Sequence, residues 1–372
     1  MNDMKCDPSV FVVGTRAQLI KVAPVIVACE RAGVPCTLLM TGQHHDTMQD
    51  LLEEFGVSTP QVAALPSAEH STVRSLFRWL PAAYRGVVAR LREIAVPGAR
   101  TNVLVHGDTL STLLGAFAAR RCGARVVHIE SGLSSGRLFD PFPEEICRRL
   151  VFRMTDVAMC PDEGTSQNMQ RRHVNVINTH GNTIVDAVAL TGASDVARVD
   201  DTPYIVVSLH RFQNIYDTKR LRHLVALIEA ISARYTVHFV LHPATRGRLE
   251  SGGLLDRLSS VARITLYPRM GYREFLRKAA GAACVLTDGG SNQEELAVLG
   301  VPTIVMRART ERRDGLGVNA IMEGDVVGGV GAYILDARFE NLWRKPTVFK
   351  GPGPSGRIAL ALAGRNEMLQ VR

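Results

Sequence analysis

Two short apolar runs end on or beside carboxylates: Val103-Leu-Val-His-Gly-Asp108 and Val126-Val-His-Ile-Glu130. A third acidic pair, Glu144–Glu145, lies in Phe139-Asp-Pro-Phe-Pro-Glu-Glu-Ile-Cys-Arg-Arg149. In a parallel α/β sheet the carboxyl ends of neighbouring strands share one crevice. Three carboxylates from separate segments can then converge on one ligand. Such a set can move a proton off carbon as well as hold a substrate.

Other segments have the makings of a phosphate site. Gly14-Thr15-Arg16 follows an apolar run, where a glycine turn frees backbone N–H groups and Arg16 adds a guanidinium fork. It lacks the GxGxxG of a dinucleotide turn, and an ordinary strand-to-helix turn explains it equally well. Thr287-Asp-Gly-Gly-Ser-Asn-Gln-Glu-Glu295 says more. Gly289 and Gly290 permit close approach of a diphosphate to a helix start, and Glu295 one turn on can accept ribose hydroxyls. The plainer alternative is a helix capped by Asp288 or Ser291. His210 and Arg211 end the run Ser208-Leu-His-Arg211 and together can neutralise a departing diphosphate. His242, before Pro243, is a weaker candidate of the same kind. In His106-x-Asp108 and His128-x-Glu130 the residues at i and i+2 point to one strand face, so both pairs could reach one metal ion. Buried, hydrogen-bonded histidines are the simpler explanation, and neither a metal nor a cofactor is expected.

The elements that must position these residues alternate strand with helix almost throughout, which predicts parallel sheets wrapped by helices. The first series comprises strands over 10–13, 37–40, 103–106, 125–129 and 156–160. Its helices fall at 21–32, 72–94 (broken near Pro81), 112–121, 143–154 with Pro143 in the first turn, and 163–171. After a small, polar linker at 193–203, a second series begins at Tyr204. Its strands are 205–208, 236–241, 264–267, 283–287 and 303–306, and its helices 217–234, 271–280 and 292–299. The expected fold is α/β, with two doubly wound, Rossmann-like domains facing across a cleft. The first spans 1–194 and the second, 195–354, would take the nucleotide. The final stretch, 355–372, could pack back on the first domain.

Bulk properties are consistent with this. The 372 residues suffice for two or three domains, and 46% apolar with 22% charged residues suits a soluble globular chain. A net charge of +8 favours an anionic partner. The arginine pairs at 120–121, 148–149, 171–172 and 312–313 are scattered, which argues against nucleic acid and a membrane surface. Seven cysteines without CxxC spacing read as reduced core thiols. No charged-then-apolar leader and no run of membrane-spanning length is present, so a cytoplasmic location is expected.

Taken together, the motifs resemble the non-hydrolysing UDP-N-acetylglucosamine 2-epimerases, a family of glycosyltransferase-B fold. The resemblance rests on Gly14-Thr-Arg-Ala-Gln-Leu-Ile-Lys21, Thr41-Gly-Gln-His44, His106-Gly-Asp-Thr109, His128-Ile-Glu-Ser-Gly-Leu133 and Pro141-Phe-Pro-Glu-Glu145. Further on it rests on Gly181-Asn-Thr183, His210-Arg211, Asp288–Glu295, Met306-Arg307 and Thr310-Glu-Arg312. It implies inversion at C2 of UDP-GlcNAc through elimination and re-addition of UDP, or the same reaction on a 3-acetamido or uronic acid relative. A glycosyltransferase of the same fold and a non-catalytic nucleotide-sugar sensor are the rival readings. By this resemblance Asp108, Glu130 and Glu144 are acid/base candidates, with His210 and Arg16 serving the diphosphate. The substrate-binding candidates are Lys21, Gln43, His44, Arg211, His242, Gly289, Gly290, Ser291, Glu295 and Arg312. A UDP-sugar as ligand and a homodimer are expected. The chain departs from the family pattern at Ala17-Gln18 (usually Pro-Glu), Gly289-Gly-Ser291 (Ser-Gly-Gly) and Phe212-Gln-Asn214 (Arg-Glu-Asn). In Gln43-His-His-Asp46, His-Asp replaces Arg-Glu. Hydrolysing relatives tend to carry Gly-Gly-Glu where this chain has Ser131-Gly-Leu, which favours the non-hydrolysing branch.

Overall fold

The structure, a computed structural model, describes residues 6–42, 48–65, 73–138, 142–199, 201–310 and 312–369. The chain divides into two compact units, one of Met1–Ala187 with Phe349–Arg372 and one of Val188–Val348.

Among the described residues the first unit holds seven parallel strands: β1 (Ser9–Val13), β2 (Cys36–Met40), β3 (Gln61–Ala63), β4 (Asn102–His106), β5 (Arg125–Ile129), β6 (Val157–Cys160) and β7 (Asn175–Asn178). Their spatial order is β3-β2-β1-β4-β5-β6-β7. The described residues of the second unit hold six: β8 (Tyr204–Ser208), β9 (Thr236–Val240), β10 (Ile264–Tyr267), β11 (Cys284–Thr287), β12 (Thr303–Val305) and β13 (Ala320–Met322), ordered β10-β9-β8-β11-β12-β13. Both orders reverse direction once, between β1 and β4 and between β8 and β11. At such a switch point the connections leave for opposite sides, and ligands of doubly wound sheets bind beyond the strand ends there. The expected α/β class with two Rossmann-like sheets is therefore observed.

The central strands are apolar along their length because helices cover both faces. Val10, Val12, Val103, Val105 and Val126 are buried in one core, and Ile205, Val207, Val237, Phe239 and Leu286 in the other. Each such side chain contributes about 1.5–3 kcal/mol by burial. The helix Arg16–Ala32 starts on a capping box between Thr15 and Gln18 and ends at Gly33 in the left-handed region, φ 74°. The C-terminal helix Pro354–Leu362 packs on it within the same unit. Its start is held by Asp186, whose Oδ2 accepts the Ser355 N–H at 2.7 Å.

Some expectations need correcting. The helix expected to break near Pro81 runs unbroken over Val73–Ile94. Pro81 is exposed, so water can satisfy the carbonyl its ring leaves without a donor. Pro143 is the residue before the helix Glu144–Met154, not inside it. The helix expected at 292–299 begins two residues earlier, at Gly290. The short strands β3, β7 and β13 and the helices Gln49–Phe55 and Pro243–Ser251 were not anticipated.

Candidate active site

At the first switch point the strand ends run straight into turns. Gly107 takes φ 69°, a conformation that favours glycine, and donates its N–H to Ile129 O at 3.1 Å. Asp108 follows, and Thr109 caps the helix Leu110–Arg121 through a reciprocal pair of hydrogen bonds with Thr112. One turn over, Glu130 itself has φ 60°, which is uncommon for a residue with a side chain. These left-handed turns overturn the simple strand-face pairing. His106 does not partner Asp108. Its Nε2 lies 2.9 Å from Glu130 Oε2, and Lys21 Nζ lies 3.0 and 3.3 Å from the two Glu130 oxygens. All three side chains are at least nine-tenths buried.

Asp108 has a different cation. Arg148 Nη2 donates to Asp108 Oδ2, and Arg148 Nη1 donates to Glu145 Oε2 at 2.7 Å. Glu144 opens the helix that carries Arg148, and its Oε2 is buried with no hydrogen-bond partner among the described residues. The fields of Asp108 and Glu144 both reach Cys147. Burial first, then those two carboxylates, pushes its thiol up to about 11, so it stays protonated and unreactive. His128 is fully buried, with Nε2 2.8 Å from Gly107 O, and desolvation holds its pKa down to about 4. The hydrogen-bonded core histidine is thus the observed state of His128. Among the described residues no three His, Cys, Asp or Glu side chains are arranged to hold a metal ion.

The β1 and β4 turns are joined by Gln18, which is 2% exposed. Its Oε1 accepts Gly14 N, Thr15 N and Ser111 Oγ at 3.0, 3.2 and 2.9 Å. Its Nε2 lies 2.9 Å from His106 O, 2.9 Å from Thr109 Oγ1 and 3.0 Å from Thr112 Oγ1. The amide can both accept and donate here, which an ionised glutamate in its place could not do. Arg16, beside this turn, pairs with Asp50 at 2.6 Å. Gln43 and His44 lie outside the described residues.

At the second switch point β8 leads into His210 and Arg211, and β11 into Asp288 and Gly289. Asp288 is fully buried and accepts hydrogen bonds from His210 N, Arg211 N and Asn214 Nδ2 at 2.8–3.1 Å. Its Oδ1 stands 3.3 Å from His210 Nδ1. The His242 ring lies 5.7 Å from that of His210, but its Nδ1 accepts Ala244 N–H and caps the helix Pro243–Ser251. Burial, then the charges of His210 and Arg269, lowers the His242 pKa.

The helix Gly290–Leu299 has Gly289 at its cap position and no capping side chain, so neither Asp288 nor Ser291 fills the role offered as the plain alternative. A Cβ built on Gly290 would meet Arg312 Cγ at 3.6 Å and Arg211 Nη2 and Arg307 Nη1 at 3.9 Å. Three arginines therefore gather at an uncapped helix start, where the dipole and N–H groups favour an anion. Gln293 Nε2 donates to Arg312 O and Asp314 O at 3.0 and 2.8 Å, tying the arginine loop to the helix. Glu294 pairs with Arg312, while Glu295 is 2% exposed.

The sequence reading gives no site role to Gln18, Glu145, Arg148, Asn214, Asp288, Glu294 or Arg307, and weighs His106 only as a metal ligand. Asp288 carried the same signal as Asp108, a carboxylate just past an apolar strand. Glu145 carried another, acid-to-arginine spacing of three and four on one helix.

Two doubly wound units, each with its polar cluster at its own switch point, put the protein in the α/β class to which nucleotide-sugar enzymes belong. Comparison with known proteins narrows this. The profile of the UDP-N-acetylglucosamine 2-epimerase family matches residues 28–334, and the chain belongs to that family. It is 32% identical over 334 residues to the UDP-N-acetylglucosamine 2-epimerase of Methanocaldococcus jannaschii, covering 85% of this chain and 88% of that one. The solved structure of the M. jannaschii enzyme aligns with a TM-score of 0.75 at 27% identity, covering 96% and 99% of the two chains. A further structure of it is a complex with UDP-GlcNAc and UDP. The UDP-2,3-diacetamido-2,3-dideoxy-D-glucuronate 2-epimerase of Pseudomonas aeruginosa is 28% identical over 313 residues, 81% of this chain and 83% of that one. In fold alone the chain is also similar to SsfS6, a glycosyltransferase of Streptomyces sp. SF2575, with a TM-score of 0.50 at 11% identity over 95% and 99% of the chains. Epimerases are isomerases, and the chain is placed among them. Among the described residues no helix is long and apolar enough to cross a membrane.

Proposed function

We propose that this protein interconverts UDP-GlcNAc and UDP-ManNAc without hydrolysis, by eliminating UDP from C1 as the C2 proton is removed and adding it back with the proton on the other face. The C2–H bond is a poor acid, so a placed carboxylate is needed, which contributes about 10²–10⁴-fold. Asp108, Glu130 and Glu144 are the acid/base groups in this reading. Lys21 serves through Glu130. His210, Arg16, Arg211 and Arg312 neutralise the leaving diphosphate, as electrostatic stabilisation of developing charge requires. Gly289, Gly290, Ser291 and Glu295 take the UDP, with Gln43, His44 and His242 as further contacts to substrate.

The observation that carries the reading is the pairing of Glu130 with Lys21 and His106 beside the Arg148–Asp108 pair at one switch point. A transferase would have no use for such a set. The Pro141-Phe-Pro-Glu-Glu145 segment favours the non-hydrolysing branch. The enzyme is taken to work as a cytoplasmic homodimer that supplies a cell-surface polysaccharide precursor. A second reading, 2-epimerisation of a 3-acetamido or uronic acid UDP-HexNAc, is favoured by the likeness to the P. aeruginosa enzyme. Product analysis by NMR over a panel of UDP-HexNAc sugars tests both. A ManNAc-configured product from UDP-GlcNAc supports the first, and turnover confined to a modified sugar supports the second.

A further inference from the structure

Three candidate acid/base groups sit on three separate segments: Asp108 on the β4 turn, Glu130 on the β5 turn, and Glu144 on the helix Glu144–Met154. One buried carboxylate touches all three segments, directly or through a single side chain. Glu145 is fully buried, so it cannot reach a substrate itself. Its Oε1 accepts Ser134 Oγ at 2.6 Å and Arg149 Nε at 2.9 Å. Its Oε2 accepts Arg148 Nη1 at 2.7 Å and Ser135 N at 3.3 Å. Ser134 and Ser135 lie on the loop that follows Glu130. The other amino group of Arg148 donates to Asp108.

An ionised carboxylate out of water costs several kcal/mol unless its oxygens are filled. Here burial alone would raise the Glu145 pKa. The hydrogen bonds from Ser134, Arg149, Arg148 and Ser135 outweigh it and hold the group below the ordinary carboxylate range. The guanidinium explains why an arginine stands at 148. Its donors form a rigid planar fork, so anchoring one amino group on Glu145 fixes where the other points. A lysine could pair with Asp108 or with Glu145, but a single ammonium on a flexible stem could not hold both in register.

We propose that Glu145 is a positioning residue for the epimerisation, holding Arg148 so that Asp108 keeps its place relative to Glu130 and Glu144. The assignment rests on the epimerase reading above. Displacement of a reacting group by about 1 Å can cost about 10²-fold. The test uses the full-length enzyme with E145Q, R148K, R148M and the E145Q/R148M double variant, measuring turnover, deuterium exchange at C2 in D₂O, and UDP affinity. Expected is a fall in kcat of about 10- to 100-fold for E145Q, with KM and the Kd for UDP within about threefold of wild type. R148M should lose a similar factor, and E145Q should add little in the R148M background, because residues acting as one unit are non-additive. R148K should fail to restore turnover, which a mere charge balance would allow. If E145Q does not fold, the comparison of R148K with R148M at this part-exposed residue still decides. E145Q turnover within twofold of wild type, or full turnover in R148K, overturns the proposal alone. A wild type that turns over no sugar of the panel overturns the epimerase reading and the proposal with it.

Discussion

His210 Nδ1 stands 3.3 Å from Asp288 Oδ1, and the backbone N–H of His210 donates to the same carboxylate. Ring and backbone are thus gripped by one buried acid, which leaves Nε2 for other partners. His210 is 40% exposed while Asp288 is fully buried. The histidine can meet a ligand and the aspartate cannot, so Asp288 acts through His210. Asp288→Asn turns an NH₂ group toward the N–H donors of His210, Arg211 and Asn214, one of which then loses its acceptor. Turnover is expected to fall about 10²-fold, at a stability cost of about 1–3 kcal/mol for the mispaired buried group. Steady-state kinetics on D288N, H210A and the double variant check this. The double should be little worse than H210A.

Gly290 offers a separable test of the anion site. An alanine methyl there meets no atom closer than 3.6 Å, so the fold should accept it. The methyl would stand where a diphosphate approaches the helix start, between Arg211, Arg307 and Arg312. Gly290→Ala is expected to raise the Kd for UDP about tenfold, or ~1.4 kcal/mol, with the melting temperature unchanged or slightly higher. Calorimetric titration with UDP reads the first quantity and thermal unfolding the second. Wild-type affinity in G290A would move the diphosphate elsewhere.

The buried His128 should make stability depend on pH. Its folded pKa is about 4, against ~6.5 in the unfolded chain. The unfolded chain therefore takes up this proton first as the pH falls. The contribution is fully present above about pH 6.5, shrinks toward pH 4, and levels off where both states are protonated, a total of about 3 kcal/mol. His128→Gln can still donate to Gly107 O but does not titrate. Urea unfolding at several pH values between 4 and 7 should give a shallower loss for H128Q than for the wild type. Parallel curves would show that His128 is not the group responsible.

How much of this was legible in the sequence differs by element. Central strands announce themselves because burial on both faces makes them unbroken apolar runs, as in Val10–Val13 and Val103–Val105. The edge strands Gln61–Ala63, Asn175–Asn178 and Ala320–Met322 are short and only partly buried, so they carry little of that signal. The positions of Asp108 and Glu130 past strand ends were readable, but their partners were not. Alternation along a strand assigns His106 to Asp108. The left-handed turns at Gly107 and Glu130 end the pleat and give His106 to Glu130 instead. Gln18 read only as a departure from a family pattern, because its amide bonds to His106, Thr109, Ser111 and Thr112, about ninety residues further along the chain.

In the proposed reaction these carboxylates take a hydrogen from C2 of a UDP-sugar. The most direct measurement is incubation with UDP-GlcNAc in D₂O, followed by NMR of the recovered sugar nucleotides. The wild type should place deuterium at C2 in both UDP-GlcNAc and UDP-ManNAc, and D108N or E130Q should slow that exchange by orders of magnitude while still binding UDP. Sugar transfer or tight binding with no deuterium at C2, or near-normal exchange in both variants, would contradict the account.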